Sequence, residues 1–238
     1  MTAWEIVDSG IAPAAANMAL DAELLSSLST KKTPILHFYG WSADCFTYGH
    51  FVQLDRFINL EKMVKHQLEC AKRPTGGGIV FHIWDLAFSV LVPDDDFRFS
   101  QNTLENYDFV NRTVLRSVQK VFNPKGDLEL IKEDGTALDR SCFHFCMAKP
   151  TKYDILFKGK KIIGAAQRKT KHGFLHQGTI SLMMPDKEML EDLLLPGTKV
   201  VEAIFANTFP LLGEKGTKQE LLEARKALRN SIEEEFKS

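Results

Sequence analysis

Three glycines in a row, Gly76, Gly77 and Gly78, follow Arg73, Pro74 and Thr75 and precede an apolar run. Consecutive glycines let backbone N–H groups converge on an anion, because no Cβ atom bars close approach, and a neighbouring guanidinium adds a charge-assisted contact. A carboxylate or phosphate is the natural guest of such a loop; the alternative is a tight loop that merely feeds an edge strand. The segment lacks the Gly-Lys-Ser/Thr ending of a Walker loop and is not a dinucleotide fingerprint. A second feature is the run Lys158 to His172, with six Lys or Arg and no Asp or Glu. Such runs are ordinarily solvated hairpin faces. Lys161 stands apart because Ile162, Ile163, Gly164, Ala165 and Ala166 follow it. Neighbours that small allow its ammonium to lie beside a ligand in a low-dielectric pocket, where a point charge stabilises phosphate far better than in water.

The third candidate is Cys142-Phe143-His144-Phe145-Cys146. Strand alternation would put both thiols and the imidazole on one side with no fourth metal ligand nearby, so no metal ligands are assigned. Cys142 is a candidate nucleophile, since thiolate acyl transfer is ordinary cysteine chemistry; otherwise these residues are small buried hydrophobes.

These residues need elements to hold them. Helical spacing runs from Ala14 to Ser29 through Met18, Leu24, Leu25 and Leu28, with Pro13 just ahead. Ile35 to Tyr39 and Cys45 to Tyr48 read as two strands of one sheet, and Leu60 to Lys72 as a helix. The glycine loop then leads into two central strands, Ile79 to Trp84 and Leu86 to Val92. Leu104 to Phe122 carries a helical stripe, Tyr153 to Gln167 a hairpin turning at Lys158-Gly159, and Gly173 to Met183 a further strand. Thr217-Lys218-Gln219-Glu220 has the form of a capping box for a helix ending near residue 236. Strands interleaved irregularly with helices predict an α+β fold, and the absence of repeats or linkers predicts one domain over residues 1–238.

The composition fits that reading. Of 238 residues 44% are hydrophobic, enough for a large core, and 30 Lys+Arg against 31 Asp+Glu leave a net charge of −1. Bulk attraction to nucleic acid or anionic lipid is not expected, so anion binding must be local. Residues 76–92 are the only stretch to weigh as a membrane span, and Asp85, His82 and the glycines argue against it. Four cysteines and no charged-then-apolar leader predict a reducing cytoplasm.

Two segments together carry a family resemblance. Arg73-Pro74-Thr75-Gly76-Gly77-Gly78-Ile79-Val80-Phe81-His82 resembles the Arg-x-Ser/Thr-Gly-Gly-Gly-x-Val-Phe-His motif of the lipoate–protein ligase A family, and Lys161-Ile162-Ile163-Gly164-Ala165-Ala166-Gln167-Arg168 is similar to its Lys-x-x-Gly-Ser/Ala-Ala-x-Arg motif. Asn17 to Asp21, Trp41, Gly49 and His176 to Thr179 also fit. The resemblance implies a single domain of the biotin–lipoate ligase class, with mixed or antiparallel sheets flanked by helices. It implies ATP-dependent activation of lipoate to lipoyl-AMP, with Mg2+ on the triphosphate, and transfer to a lysine of a lipoyl domain: an E2 subunit of a 2-oxoacid dehydrogenase or the glycine cleavage H protein. By the same resemblance Lys161 is the essential lysine. Arg73, Thr75 and Gly76 to Gly78 cover the acyl chain, and Val80 and Phe81 read adenine. His82, Asp154, Gly164, Ala165 and Arg168 lie at neighbouring pocket positions.

Departures from the pattern are Lys72 where the family has a first arginine, and Gln177 where a histidine often precedes Gly178. About 55 residues follow the core, less than a full accessory domain, so either the chain works alone or a separate accessory subunit supplies that piece. A second reading is an octanoyl transferase of the same superfamily, taking its acyl group from acyl carrier protein through a thioester on Cys142. A third, a binding module docking the basic stretch on an acidic partner or nucleic acid, lacks the interleaved aromatics that stacking platforms need.

Overall fold

The computed structural model describes residues 3–213 and 216–238. Seven strands form the larger sheet, in the order β1 (Glu5–Ala12), β2 (Ile35–Trp41), β6 (Asp85–Pro93), β10 (Gly173–Ser181), β9 (Lys160–Thr170), β8 (Ile155–Phe157) and β7 (Leu128–Leu130). Only β1 and β2 pair in parallel. Every residue of β6 and of β10 is buried, as expected of central strands covered on both faces. Alternation along β6 divides the work. Leu86, Phe88, Val90 and Val92 face the helices α3 (Thr103–Phe122) and α6 (Lys218–Lys237), while Ala87 and Leu91 pack on the side of α1 (Ala14–Ser27).

A smaller sheet carries β3 (Cys45–Tyr48) between β4 (Glu69–Lys72), parallel to it, and β5 (Ile79–Phe81), antiparallel. It shares a second core with α4 (Lys187–Leu193), α5 (Val200–Asn207) and Phe145. Three expectations fail here. The strand expected at 79–84 is not central: β5 holds three residues and stands at the end of the smaller sheet, since only one side of it is taken up by β3. The strands at 35–39 and 45–48 belong to different sheets, because both hydrogen-bonding edges of β2 are already taken by β1 and β6 and β3 must find other partners. The helix expected over 60–72 stops early: α2 (Leu60–Lys65), capped by the Asn59 side chain on the N–H groups of Glu61 and Lys62, gives way at Gln67, which takes φ 54, and the chain leaves as β4. The left-handed conformation ends helices, and the side-chain pattern alone does not announce it.

The helices α1, α3 and α6 fall where helical spacing set them, α4 and α5 were not expected, and the Thr217–Glu220 capping box forms in both directions. The fold is α+β. Among the described residues no helix is long and apolar enough to cross a membrane.

Candidate functional site

The two sheets meet along the glycine loop, which joins β4 to β5. Two close approaches and one left-handed glycine hold that loop. A Cβ on Gly49 would lie 2.0 Å from the Gly77 carbonyl oxygen, and one on Gly78 would lie 2.4 Å from the His144 carbonyl oxygen; both contacts are backbone to backbone and cannot yield. Gly77 itself takes φ 87, where only glycine is unstrained. Arg73 closes the loop from within. Its Nη2 donates to the carbonyls of Gly76 (3.0 Å) and Gly78 (2.7 Å), and its Nη1 donates to Thr47 Oγ1 (2.8 Å). The guanidinium is thus a brace for the loop, and burial lowers its affinity for its proton. Thr75 turns the other way and donates to Gln177 Oε1 (2.6 Å), while Gln177 Nε2 donates to Asp21 Oδ2 (2.6 Å). Asp21 also accepts from Ser89 and pairs with His37. Thus Gln177, and not His176, faces this cluster; His176 lies on the opposite face of β10.

Lys161 enters from β9. Its ammonium, 2% exposed, donates to Asp154 Oδ2 (2.6 Å) and to the Cys146 carbonyl (2.6 Å). Asp154 is fixed in turn by the Thr151 N–H and hydroxyl. Burial pushes the Asp154 carboxyl up, while Lys161 pulls it back. The Lys-x-x-Gly spacing now has a physical basis. Residues three apart on a regular strand face opposite ways, but β9 carries an extra residue between Lys161 and Ile163 opposite the adjacent pair Leu156 and Ile155 of β8. That bulge returns Gly164 to the lysine's side, where a Cβ would fall 2.5 Å from Lys161 Cε and 2.9 Å from Nζ.

A small cavity of about 30 Å³ is lined by Arg73, Val80, His82, Gly164 and Ala165 of the expected set; Lys161 and Asp154 do not line it but stand against Gly164, which does. It is also lined by Tyr39 and Thr47, which the sequence did not single out, and by Cys146 and Thr179, to which it assigned no place in the pocket. A second cavity of about 40 Å³ shares Val80 and Thr179 with it and continues past Phe81 between Trp84, Met147 and Met183. Among the described residues no Lys or Arg lines this second cavity. Arg168 lies outside both: it is exposed at the rim and donates to the Pro74 carbonyl (3.2 Å), because its strand has by then passed the cavity.

The two cysteines separate. The segment does not run as a strand but turns as a short 3₁₀ helix, Ser141–His144, whose Cys142 N–H is held by Asp139 (3.0 Å). Cys142 is therefore fully buried in the second core, and burial pushes its thiol up, away from the thiolate. The candidate nucleophile does not reach the cavity. Cys146 does: its N–H donates to the Ile79 carbonyl (3.0 Å), its Sγ lies 3.7 Å from where a Gly77 Cβ would stand, and its carbonyl receives Lys161. The one local signal was Asp139, three residues ahead of Cys142, which marks a side-chain-capped turn rather than a strand. Among the described residues no group of three or more His, Cys, Asp or Glu is arranged to hold a metal ion.

Residues 13–210 match the family model of the lipoyl protein ligase A/B catalytic domain. The chain is similar to octanoyltransferase LipM of Bacillus subtilis (strain 168), with 30% identity over 236 residues, covering 97% of this chain and 85% of that protein. It is 33% identical over 214 residues to octanoyltransferase LipM of Geobacillus kaustophilus (strain HTA426), covering 84% of this chain and 73% of that one. Among solved structures it shares the fold of a bi-partite lipoate protein ligase from Thermoplasma acidophilum, described with its E2 lipoyl domain, at TM-score 0.69 and 22% identity over 99% of this chain and 84% of that one.

Proposed function

Because the chain belongs to the family of lipoyl protein ligase A/B catalytic domains, we propose that it transfers octanoyl groups from a carrier thioester to a lysine of a lipoyl-domain acceptor, with Cys146 as the acyl-bearing nucleophile. The observation that carries this reading is the Cys146 sulfur lying against Gly77 in the cavity, on the residue whose carbonyl holds Lys161. The LipM relatives point the same way.

The chemistry runs in two steps. The Cys146 thiol gives up its proton and attacks the octanoyl carbonyl; a new thioester forms, the bond to the carrier breaks, and the carrier thiol leaves with a proton. The acceptor ε-amine then attacks the Cys146 thioester, an amide forms, and the sulfur regains the proton that the amine loses. Each attack builds an oxyanion in a water-poor space, where an oriented cation acts at its strongest. Lys161 has two of its three N–H groups engaged by Asp154 and Cys146, which fixes its direction and leaves one donor for that charge. Asp154 and Thr151 keep the ammonium in register. Val80 forms the wall along which the acyl chain lies, and Met18, Met147 and Met183 around the two narrow cavities are side chains that adapt to an incoming chain.

This reverses the order of the two readings made from sequence. A nucleoside triphosphate with Mg2+ would need cations near the second cavity. Arg73 and Lys161, the cations of the two motifs, are already engaged by carbonyls, a hydroxyl and Asp154.

Octanoyl-acyl carrier protein, supplied without ATP, should raise the mass of the protein by one octanoyl group. Cys146→Ser should abolish that adduct and lower transfer to an apo lipoyl domain by about 10³-fold or more, whereas Cys142→Ala should leave both intact. Modification of the acceptor that requires lipoate, ATP and Mg2+ and survives Cys146→Ser would establish the ligase instead.

A further inference from the structure

Arg73 is a buried cation with no carboxylate among its contacts; its partners are two carbonyls and the Thr47 hydroxyl. The nearest acid reaches it only through intermediaries. Thr47 Oγ1 lies 2.7 Å from His82 Nε2, His82 Nδ1 lies 2.8 Å from Asp85 Oδ2, and the Thr179 hydroxyl donates to that same oxygen at 2.5 Å. All of these side chains are buried. His82 and Asp85 are a local pair three residues apart, while Thr47, Arg73 and Thr179 come from three other segments, so the fold and not one motif brings the five together.

The donors in this chain fall in one direction. Arg73 donates to Thr47 Oγ1, so the single hydroxyl hydrogen of Thr47 is free to go to His82 Nε2. That nitrogen must then be the unprotonated one, and the ring carries its hydrogen on Nδ1, where Asp85 accepts it. A doubly protonated ring would strand the Thr47 hydroxyl hydrogen without an acceptor among these groups. Trp41 stacks on the ring at 4.4 Å and fixes its plane. Burial works against the Asp85 charge, yet His82, Thr179 and Arg225 hold its carboxyl below the ordinary carboxylate range. Arg73 and the Cys146 sulfur converge on one point of the loop: Arg73 Nη2 stands 3.2 Å and Cys146 Sγ 3.7 Å from where a Gly77 Cβ would be, and both residues line the first cavity.

We infer that Asp85, acting through His82 and Thr47, is a positioning residue that aims the Arg73 guanidinium at the glycine loop and the Cys146 sulfur, and so favours the thiolate of Cys146. Linked hydrogen bonds polarise one another, and a carboxylate at one end makes each acceptor along the line a better one. The part concerning acyl transfer rests on Cys146 being the nucleophile; the part concerning the thiol does not.

The test therefore reads the thiol directly as well as the reaction. The rate of alkylation of Cys146 by iodoacetamide is measured against pH in the full chain, with Cys70 replaced by Ser so that the half-buried competing thiol is silent. Thr47→Val, which keeps the shape and removes the hydroxyl, should shift the alkylation profile so that Cys146 reacts about 10-fold more slowly at neutral pH, and lower kcat for acylation by about 10- to 100-fold with KM little changed. Thr47→Ser should restore both. Asp85→Asn, which moves the ring hydrogen to the wrong nitrogen, should produce the same shift. The double variant should do no more than either alone, because one chain is broken once. Wild-type alkylation profiles in folded Thr47→Val and Asp85→Asn proteins, or effects that add in the double variant, would overturn the inference. A normal shift alongside full activity of Cys146→Ser would keep the relay and reject the nucleophile.

Discussion

Gly164 stands three positions beyond Lys161, and its missing side chain is the space that the ammonium occupies. Gly164→Ala asks the end of a flexible side chain to move, not a backbone, so the strand should form while the lysine is displaced. A shift of about 1 Å in a catalytic group costs on the order of 10²-fold in rate. Transfer by Gly164→Ala should fall by about that factor with an unchanged circular dichroism spectrum; near-normal activity would mean that Lys161 is not held where the rate depends on it. The sequence carried this lysine and this glycine as a motif, but not the bulge that makes their spacing work. The sequence was equally silent on the choice between two cysteines four residues apart. Backbone turning at Asp139–His144 decides that choice, and residue types do not.

At the scale of elements, what is legible follows from periodicity and caps. The helices α1, α3 and α6 each bury a stripe whose spacing is visible in the sequence, and the β8–β9 hairpin turns at Lys158 and Gly159, both at positive φ. Pairings between distant segments are not legible, because they depend on which strand edges are already occupied. The division of β2 and β3 between two sheets is such a case, and so is the eight-residue β1, with its mixed burial pattern, beside β2. The capping box offers a clean test of a legible element. The Thr217 hydroxyl accepts from the Glu220 N–H, and the Glu220 carboxylate accepts from the Thr217 N–H. Thr217→Ala should cost about 1 kcal/mol of stability, read as a lower denaturant midpoint with unchanged slope. Activity at low denaturant should not change, since the cap touches no group of the site.

The whole molecule is tied together where α3 and α6 cover the central strands, and the site inherits its rigidity from that core. Arg225 of α6 donates to the Asp85 carbonyl (2.7 Å), so the last helix braces the segment that carries the relay. His176 lies in the same body, fully buried on β10. Its Nδ1 is held by Gln167 (2.7 Å) and its Nε2 has no partner among the described residues. Burial pushes its pKa down to about 3 from 6.5. The unfolded chain takes up this proton near pH 6.5 and the folded chain does not, so the folded state loses stability as pH falls from about 6.5 toward about 3. The slope approaches roughly 1.4 kcal/mol per pH unit, which amounts to about 2 to 3 kcal/mol between pH 7 and pH 4.5. Carboxylates such as Asp96, whose pKa the fold lowers, add their own loss at the acid end, so the informative quantity is a difference between proteins. His176→Leu removes the titrating group and nothing else that changes charge. The unfolding free energy of wild type should fall more steeply than that of His176→Leu between pH 6.5 and pH 4.5, by about 1 kcal/mol per pH unit. Parallel curves would mean that the imidazole is hydrated or protonated inside the fold, and that the core around β10 is looser than its burial implies.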